Sequence, residues 1–263
     1  MRLSWLSNTV RHPTSNLPTT GELNAELGEL MPSCNVAGVI YATVGVHPCH
    51  AKHFDSHKGG PEVLLAELER VALEGKEKGL VTAFGEIGLD YDRLFLTAKE
   101  PQLAYFRLQL SIASRLDLPL FLHSRAAHED FIALLRPVLP TIPGGLVHSF
   151  TGGMEEMREL VAEGLYIGVN GCSLKTEENL EVVRQIPMDR LMLETDGPWC
   201  EIRKSHASSK YLADAPVLPK MKKKDKWEKG LLVNGRNEPI AISNVAWVVA
   251  KVKGLTVEEV CEK

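Results

Sequence analysis

Phe84-Gly-Glu-Ile-Gly-Leu-Asp90 carries a carboxylate out of the end of an apolar run, Leu80–Phe84, whose composition is that of a buried strand. The glycines at 85 and 88 leave room beside Glu86 for a ligand or a second backbone. Later runs repeat the design. Leu118–Leu122 closes on His123, Gly145–Val147 on His148, and Leu191–Thr195 on Asp196, each a metal-ligating residue type. Parallel strands covered on both faces are near-continuous apolar runs, and in α/β barrels the chemistry sits where such strands end. These four strand ends are therefore expected to converge.

Working outward, Val39–Val46 forms a strand ending in His47-Pro48. A helix from Pro61 places Leu64, Leu65, Leu68, Val71 and Ala72 on one face, and Gly75 and Gly79 are expected to end it. A second helix, from Glu100-Pro101, carries Leu103, Phe106, Leu110 and Ala113 on its apolar face. Helices over 126–136, 153–163 and 176–185 lead to strands ending at His148, Asn170 and Asp196. Strand and helix alternate throughout, which predicts an α/β fold with strands wound in sequence order into a TIM barrel. Six strand candidates are legible where such a barrel has eight, so the first two βα units are expected to be missing. Residues 1–38 are irregular apart from a helix candidate at Gly21–Leu30, and residues 39–263 are expected to be one barrel domain. After Asp196 comes an irregular stretch with Lys220, Lys222, Lys223, Lys224 and Lys226, then helices Pro239–Val252 and from Thr256.

The 263 residues are 44% hydrophobic with a formal charge of −4, and no apolar run approaches a membrane span. This excludes a membrane function and a protein held on nucleic acid by bulk positive charge, but not a nuclease with a local basic patch. Five cysteines without a C-x-x-C pair suit a reducing, intracellular compartment. No feature points to a protein partner.

A single His or Glu at a strand end is more often a hydrogen-bonded core group than a ligand. Four in register, Glu86, His123, His148 and Asp196, favour a site for one or two divalent cations that activate water for hydrolysis. Asp196 is the candidate base as well as a ligand, and Glu86 joins it as a catalytic carboxylate. His47 is balanced between a phosphate or metal contact and a turn residue, and Arg125 between a phosphate clamp and a loop salt bridge. The lysine run reads first as a solvated loop, and His50, His53 and His57 as members of a polar loop.

Thr43-Val-Gly-Val-His-Pro48, Gly85-Glu-Ile-Gly-Leu-Asp-Tyr-Asp92, Leu120-Phe-Leu-His-Ser-Arg125, Val147-His-Ser-Phe-Thr151, Asn170-Gly-Cys-Ser-Leu-Lys-Thr176, Glu194-Thr-Asp-Gly-Pro-Trp199 and Arg236-Asn-Glu-Pro239 together resemble the TatD family of metal-dependent deoxyribonucleases. The resemblance runs from about Tyr41 to Lys263. It implies a barrel of the metal-dependent hydrolase type and hydrolysis of DNA phosphodiesters, at ends or in single strands. It also implies Mg²⁺, with Mn²⁺ or Zn²⁺ as alternatives, and Glu86, His123, His148 and Asp196 as ligands. Asn170–Lys175 and Trp199-Cys200 look like the eukaryotic branch, which implies cytosol or nucleus. The departure is at both ends: the family's first-strand motif is not recognisable before Val39. Loss of that strand is expected to leave open sheet edges and weak activity. Competing readings are an aminoacyl-tRNA deacylase or other amidohydrolase-type esterase, since fold does not fix substrate, and a non-catalytic variant that only binds nucleic acid or a partner.

Overall fold

The computed structural model describes residues 41–262. The helix candidate at Gly21–Leu30 and the expected lack of two leading βα units fall outside them. The described chain divides into two compact units, residues 41–146 and 147–262, with strand β4 (Gly145–Val147) at the division.

In the first unit β1 (Ala42–Val44), β2 (Val81–Asp90) and β3 (Leu120–Arg125) are parallel and hydrogen-bonded in that order. A short helix α1 (His53–Ser56) and the crossover α2 (Pro61–Glu77) lie between β1 and β2, α3 (Lys99–Leu116) between β2 and β3, and α4 (His128–Leu135) after β3. The apolar face of α2 is buried as its periodicity predicts. Gly75 lies inside α2 rather than ending it, and Gly79 turns the chain at φ 69°. On α3 the expected Leu103 is only half-buried, and Gln102 and Gln109 are buried instead. Phe106 of α3 stacks on Phe131 of α4 with ring centroids 5.6 Å apart. Each fully buried ring contributes about 1.5–3 kcal/mol by removal from water.

β2 is ten residues long and does not stop at Phe84. It bulges at Glu86, where the register with β3 shifts between Gly85 and Ile87, and continues to Asp90. Gly88 is paired with His123, and a Cβ at Gly88 would lie 1.9 Å from the His123 carbonyl oxygen, so only glycine fits there.

In the second unit β5 (Tyr166–Val169) and β6 (Leu191–Leu193) are parallel, in register from Ile167↔Leu191 to Val169↔Leu193. Helix α5 (Met154–Ala162) precedes β5, and α6 (Glu177–Gln185) connects β5 to β6. A capping box between Thr176 and Asn179 starts α6 by satisfying amides that have no partner within the helix. The stretch after Asp196 contains a 3-10 helix, Ala207–Leu212, and a two-stranded parallel pair, β7 (Met221–Lys222) with β8 (Leu232–Val233). A 3-10 turn, Pro239–Ala241, precedes α7 (Ile242–Lys253), which buries Val245, Val248, Val249 and Val252, and α8 (Val257–Cys261) closes the described chain. No helix among the described residues is long and apolar enough to cross a membrane.

Candidate metal centre

Two carboxylates of β2 flank one imidazole of β3. His123 sits opposite Gly88, with its Nδ1 2.7 Å from Oε1 of Glu86 and its Nε2 3.1 Å from Oδ2 of Asp90. The strand register dictates this arrangement. Asp90 lies two residues past Gly88 on the same face, and the bulge turns Glu86 toward the ring from the other side.

His47, just beyond β1, completes the group: ligating atoms of His47, Glu86 and His123 all lie within 4.8 Å of one another. His47 Nδ1 accepts a 3.0 Å hydrogen bond from the Cys49 amide, which puts the ring proton on Nε2. That Nε2 lies 3.2 Å from Glu86 Oε1, so His47 enters the cluster as a donor.

Two buried glutamines of α3 hold the chain at His47 and at Asp90, the end of β2. Gln109 exchanges bonds of 2.7 and 3.1 Å with the amide and carbonyl of Val46, immediately before His47. Gln102 accepts from the Asp90 amide at 2.7 Å and donates to the Asp90 and Thr97 carbonyls at 2.9 and 2.8 Å. Strand pairing ends at both places, and the side-chain amides supply the partners that the sheet no longer does.

Asp90 is fully buried. Burial pushes its pKa up, but the hydrogen bond and charge of His123 and the guanidinium groups of Arg125 and Arg93 outweigh this and hold it below the usual carboxylate range. Burial and the Asp90 charge push the neighbouring Cys49 thiol up to about 11, so it stays a neutral S–H, 3.7 Å from Asp90 Oδ2. The other oxygen, Asp90 Oδ1, is buried without a hydrogen-bond partner among the described residues. The Glu86 carboxylate with the His123 and His47 imidazoles, their ligating atoms within 4.8 Å of one another, is a mixed oxygen and nitrogen donor set that suits a divalent cation, so these residues fit a metal ion.

In the second unit His148 directly follows β4 and Glu194 directly follows β6. His148 Nδ1 is 3.5 Å from Glu194 Oε2, and the other Glu194 oxygen accepts from the Ser149 amide and, at 3.3 Å, from Asn170 Nδ2. Asn170, fully buried, also donates to Ser149 Oγ at 2.9 Å. The Asp196 Oδ2 accepts from the Cys200 thiol at 3.2 Å. The Cys172 side chain, burial and the Asp196 charge all raise the Cys200 pKa, so this thiol too is held neutral as a donor.

Three non-glycine residues with left-handed backbone mark these strand ends: Ala126 (φ 50°) after Arg125, Ser149 (φ 50°) after His148, and Asp196 itself (φ 52°). Such conformations cost about 1–3 kcal/mol each and cluster at functional sites.

Of the residues expected from sequence, Glu86, His123 and His47 are thus brought together, and half-buried Arg125 is paired in register with Asp90. His148 and Asp196 each follow their strand in the second unit. Asp90 and Glu194 join them only in the structure. Asp90 had a signal, since it lies at even spacing from Gly88, but Glu194 had none, because it sits inside the apolar run ending at Asp196.

A sequence description of the TatD-related DNases matches residues 24–263. The chain belongs to that family. It is 52% identical over 223 residues to the "Deoxyribonuclease Tat-D" of Schizosaccharomyces pombe, covering 84% of this chain and 71% of that one. It is 43% identical over 166 residues to the "3'-5' ssDNA/RNA exonuclease TatD" of Erwinia amylovora, covering 62% of this chain and 60% of that one. Among solved structures it is similar to an amidohydrolase from Saccharomyces cerevisiae, with a TM-score of 0.80 and 33% identity over 93% of this chain and 83% of that one. The fold is accordingly α/β of the TIM-barrel type, and this TatD-family chain is a hydrolase with a His/Glu/His cluster compatible with metal binding.

Proposed function

We propose that this TatD-family chain is a divalent-metal-dependent deoxyribonuclease that removes nucleotides from the ends of single-stranded DNA, in the cytosol or nucleus. The observation that carries it is the flanking of His123 by Glu86 and Asp90 within a chain 52% identical to a deoxyribonuclease. Glu86 and His123 hold the cation, Mg²⁺ on the family resemblance, with Mn²⁺ suited to the same mixed oxygen and imidazole donors. Asp90 orients His123 by accepting from its Nε2–H, as carboxylates do for ligating imidazoles. The family motifs imply ligand roles for His148 and Asp196, and the Glu194 carboxylate, 3.5 Å from His148 Nδ1, is close enough to favour one orientation of that ring.

When bound, the cation supplies Lewis acidity toward a phosphoryl oxygen and a water of lowered pKa. On the family motifs Asp196 would serve as base toward the attacking water, and Glu86 would supply carboxylate charge to hold the cation. His47 and the Arg125 guanidinium would contact phosphate oxygens of the substrate, His47 exchanging its Nε2–H from Glu86 to the phosphate.

The test is hydrolysis of a 5'-labelled single-stranded DNA, with and without Mg²⁺ or Mn²⁺, by the wild type, Glu86→Ala and Asp196→Asn. Metal-dependent shortening from the 3' end, lost by at least about 10²-fold in both variants, is expected. Metal-independent turnover, or wild-type rates in Glu86→Ala, would overturn the proposal. A D-aminoacyl-tRNA run in parallel should remain intact.

A further inference from the structure

Residues 220–230 are exposed throughout, and their sequence sets six lysines, at 220, 222, 223, 224, 226 and 229, against two carboxylates, Asp225 and Glu228. Three lysines elsewhere sit on carboxylates: Lys76 on Asp117 at 2.9 Å, Lys99 on Asp130 at 2.6 Å and Lys210 on Glu177 at 2.7 Å. None of these six forms an ion pair among the described residues. With only Asp225 and Glu228 among them, the stretch keeps a net positive field at its surface.

The stretch is nonetheless built. The β7–β8 ladder is extended by bonds of 3.0 Å from the Leu232 amide to the Lys220 carbonyl and 2.9 Å from the Asn234 amide to the Lys222 carbonyl. A 3-10 turn spans Lys224–Lys226. Trp227, half-exposed, is fixed by its indole Nε1–H, which donates to the Leu231 carbonyl at 2.7 Å. A large apolar ring displayed to solvent among cations, with its one polar atom already satisfied, can add a stacking surface without desolvating a donor.

The same strap is tied to the segment that carries Asp196. Asn237, four residues beyond β8, donates from its amide to the Pro198 carbonyl at 2.9 Å and from Nδ2 to the Thr195 carbonyl at 2.7 Å. It brackets Asp196 on both sides in sequence. A polymer held by the strap is thereby held by an element directly bonded to the Asp196 turn.

We infer that Lys220–Lys229 is a docking surface for the sugar–phosphate backbone of a single-stranded nucleic acid, with the Trp227 indole stacking on one base. Spaced cations with an aromatic platform suit a strand whose bases are unstacked, whereas an acidic peptide would use the charge and leave the indole idle. The inference rests on the nuclease reading for its ligand and extends it to nucleotides away from the scissile bond.

The experiment measures binding of a fluorescent dT20 oligonucleotide by anisotropy, in EDTA so that no turnover occurs, across a salt series. The proteins are the wild type, the K222Q/K223Q/K224Q/K226Q variant, Trp227→Ala and Trp227→Phe, with thermal melting to confirm that each is folded. The lysine variant should bind at least about tenfold more weakly at 0.1 M salt, with the slope of log Kd against log salt reduced by about 3, since each phosphate contact contributes ~0.7. Trp227→Ala should lose about tenfold, and Trp227→Phe, which keeps a stacking face but not the indole N–H, should stay close to the wild type. Wild-type affinity and slope in the folded lysine variant would overturn the inference, as would equal competition by poly-glutamate of the same charge. A wild type that binds dT20 through these lysines but hydrolyses no DNA with any divalent metal would sink the nuclease reading and leave the docking surface standing. A wild type that hydrolyses DNA, with binding untouched by the substitutions, would do the reverse.

Discussion

Asp90 and His123 are joined by a 3.1 Å hydrogen bond between Oδ2 and Nε2, inside a pocket that leaves the carboxylate with no solvent exposure. An isosteric amide at that position keeps the shape and removes the charge that orients the imidazole. Asp90→Asn should weaken Mn²⁺ binding by about 10–100-fold, the usual loss for such an orienting partner. Titration calorimetry on the folded variant reads this directly, and an unchanged Kd would remove Asp90 from the metal site.

Gln109 supplies partners for both the amide N–H and the carbonyl of Val46, beyond the end of β1. Gln109→Leu leaves a buried N–H and a buried C=O unsatisfied, at about 1–3 kcal/mol each. Unfolding in urea should show a stability loss of about 2–5 kcal/mol. Because Val46 precedes His47, KM for DNA should rise in the residual folded enzyme. Equal stability of the two proteins would mean that water takes the place of the amide.

The alternation of strand and helix was legible because each apolar run closes on a polar residue, and the structure keeps that order from Ala42 to Leu193. The reach of β2 was not. A glycine-flanked Glu86 reads as a strand end, but the bulge lets pairing resume and carries Asp90 alongside His123. A parallel strand buried on both faces shows no alternation to fix its register, and a bulge shifts that register without a local mark. For the same reason the roles of Gln102 and Gln109 are not legible on α3: their partners are the backbones of Asp90 and Val46, and only the packed structure brings these to the helix. His47 was legible as a polar strand end, whereas its role as a donor follows from the Cys49 amide two residues on.

Arg125 is paired in register with Asp90 and contributes to keeping that carboxylate ionised. In the proposed role of phosphate clamp it would act on ground state and transition state alike, so Arg125→Ala should raise KM more than it lowers kcat. Steady-state kinetics on a short oligonucleotide separates the two. A loss confined to kcat would place the guanidinium against charge that develops only in the transition state.

Lys253, the last residue of α7, donates from Nζ to the carbonyls of Arg184 and Ile186 at 3.0 and 2.6 Å, tying the end of one helix to the end of α6. Burial lowers its pKa from 10.5 to about 8. A neutral amine still has hydrogens for both carbonyls, so the bonds survive deprotonation. Below pH 8 the folded and unfolded chains both carry the proton, and the cost of burying the charge is constant. Between pH 8 and 10.5 the folded chain has released a proton that the unfolded chain still holds, so stability rises with pH across this window. Lys253→Met has no such proton to release. Urea unfolding of the two proteins at intervals from pH 7.5 to 10 should therefore show the wild type gaining on the variant as pH increases. A difference that stays flat over that range would mean that the two carbonyls hold Lys253 charged and that its pKa is not depressed.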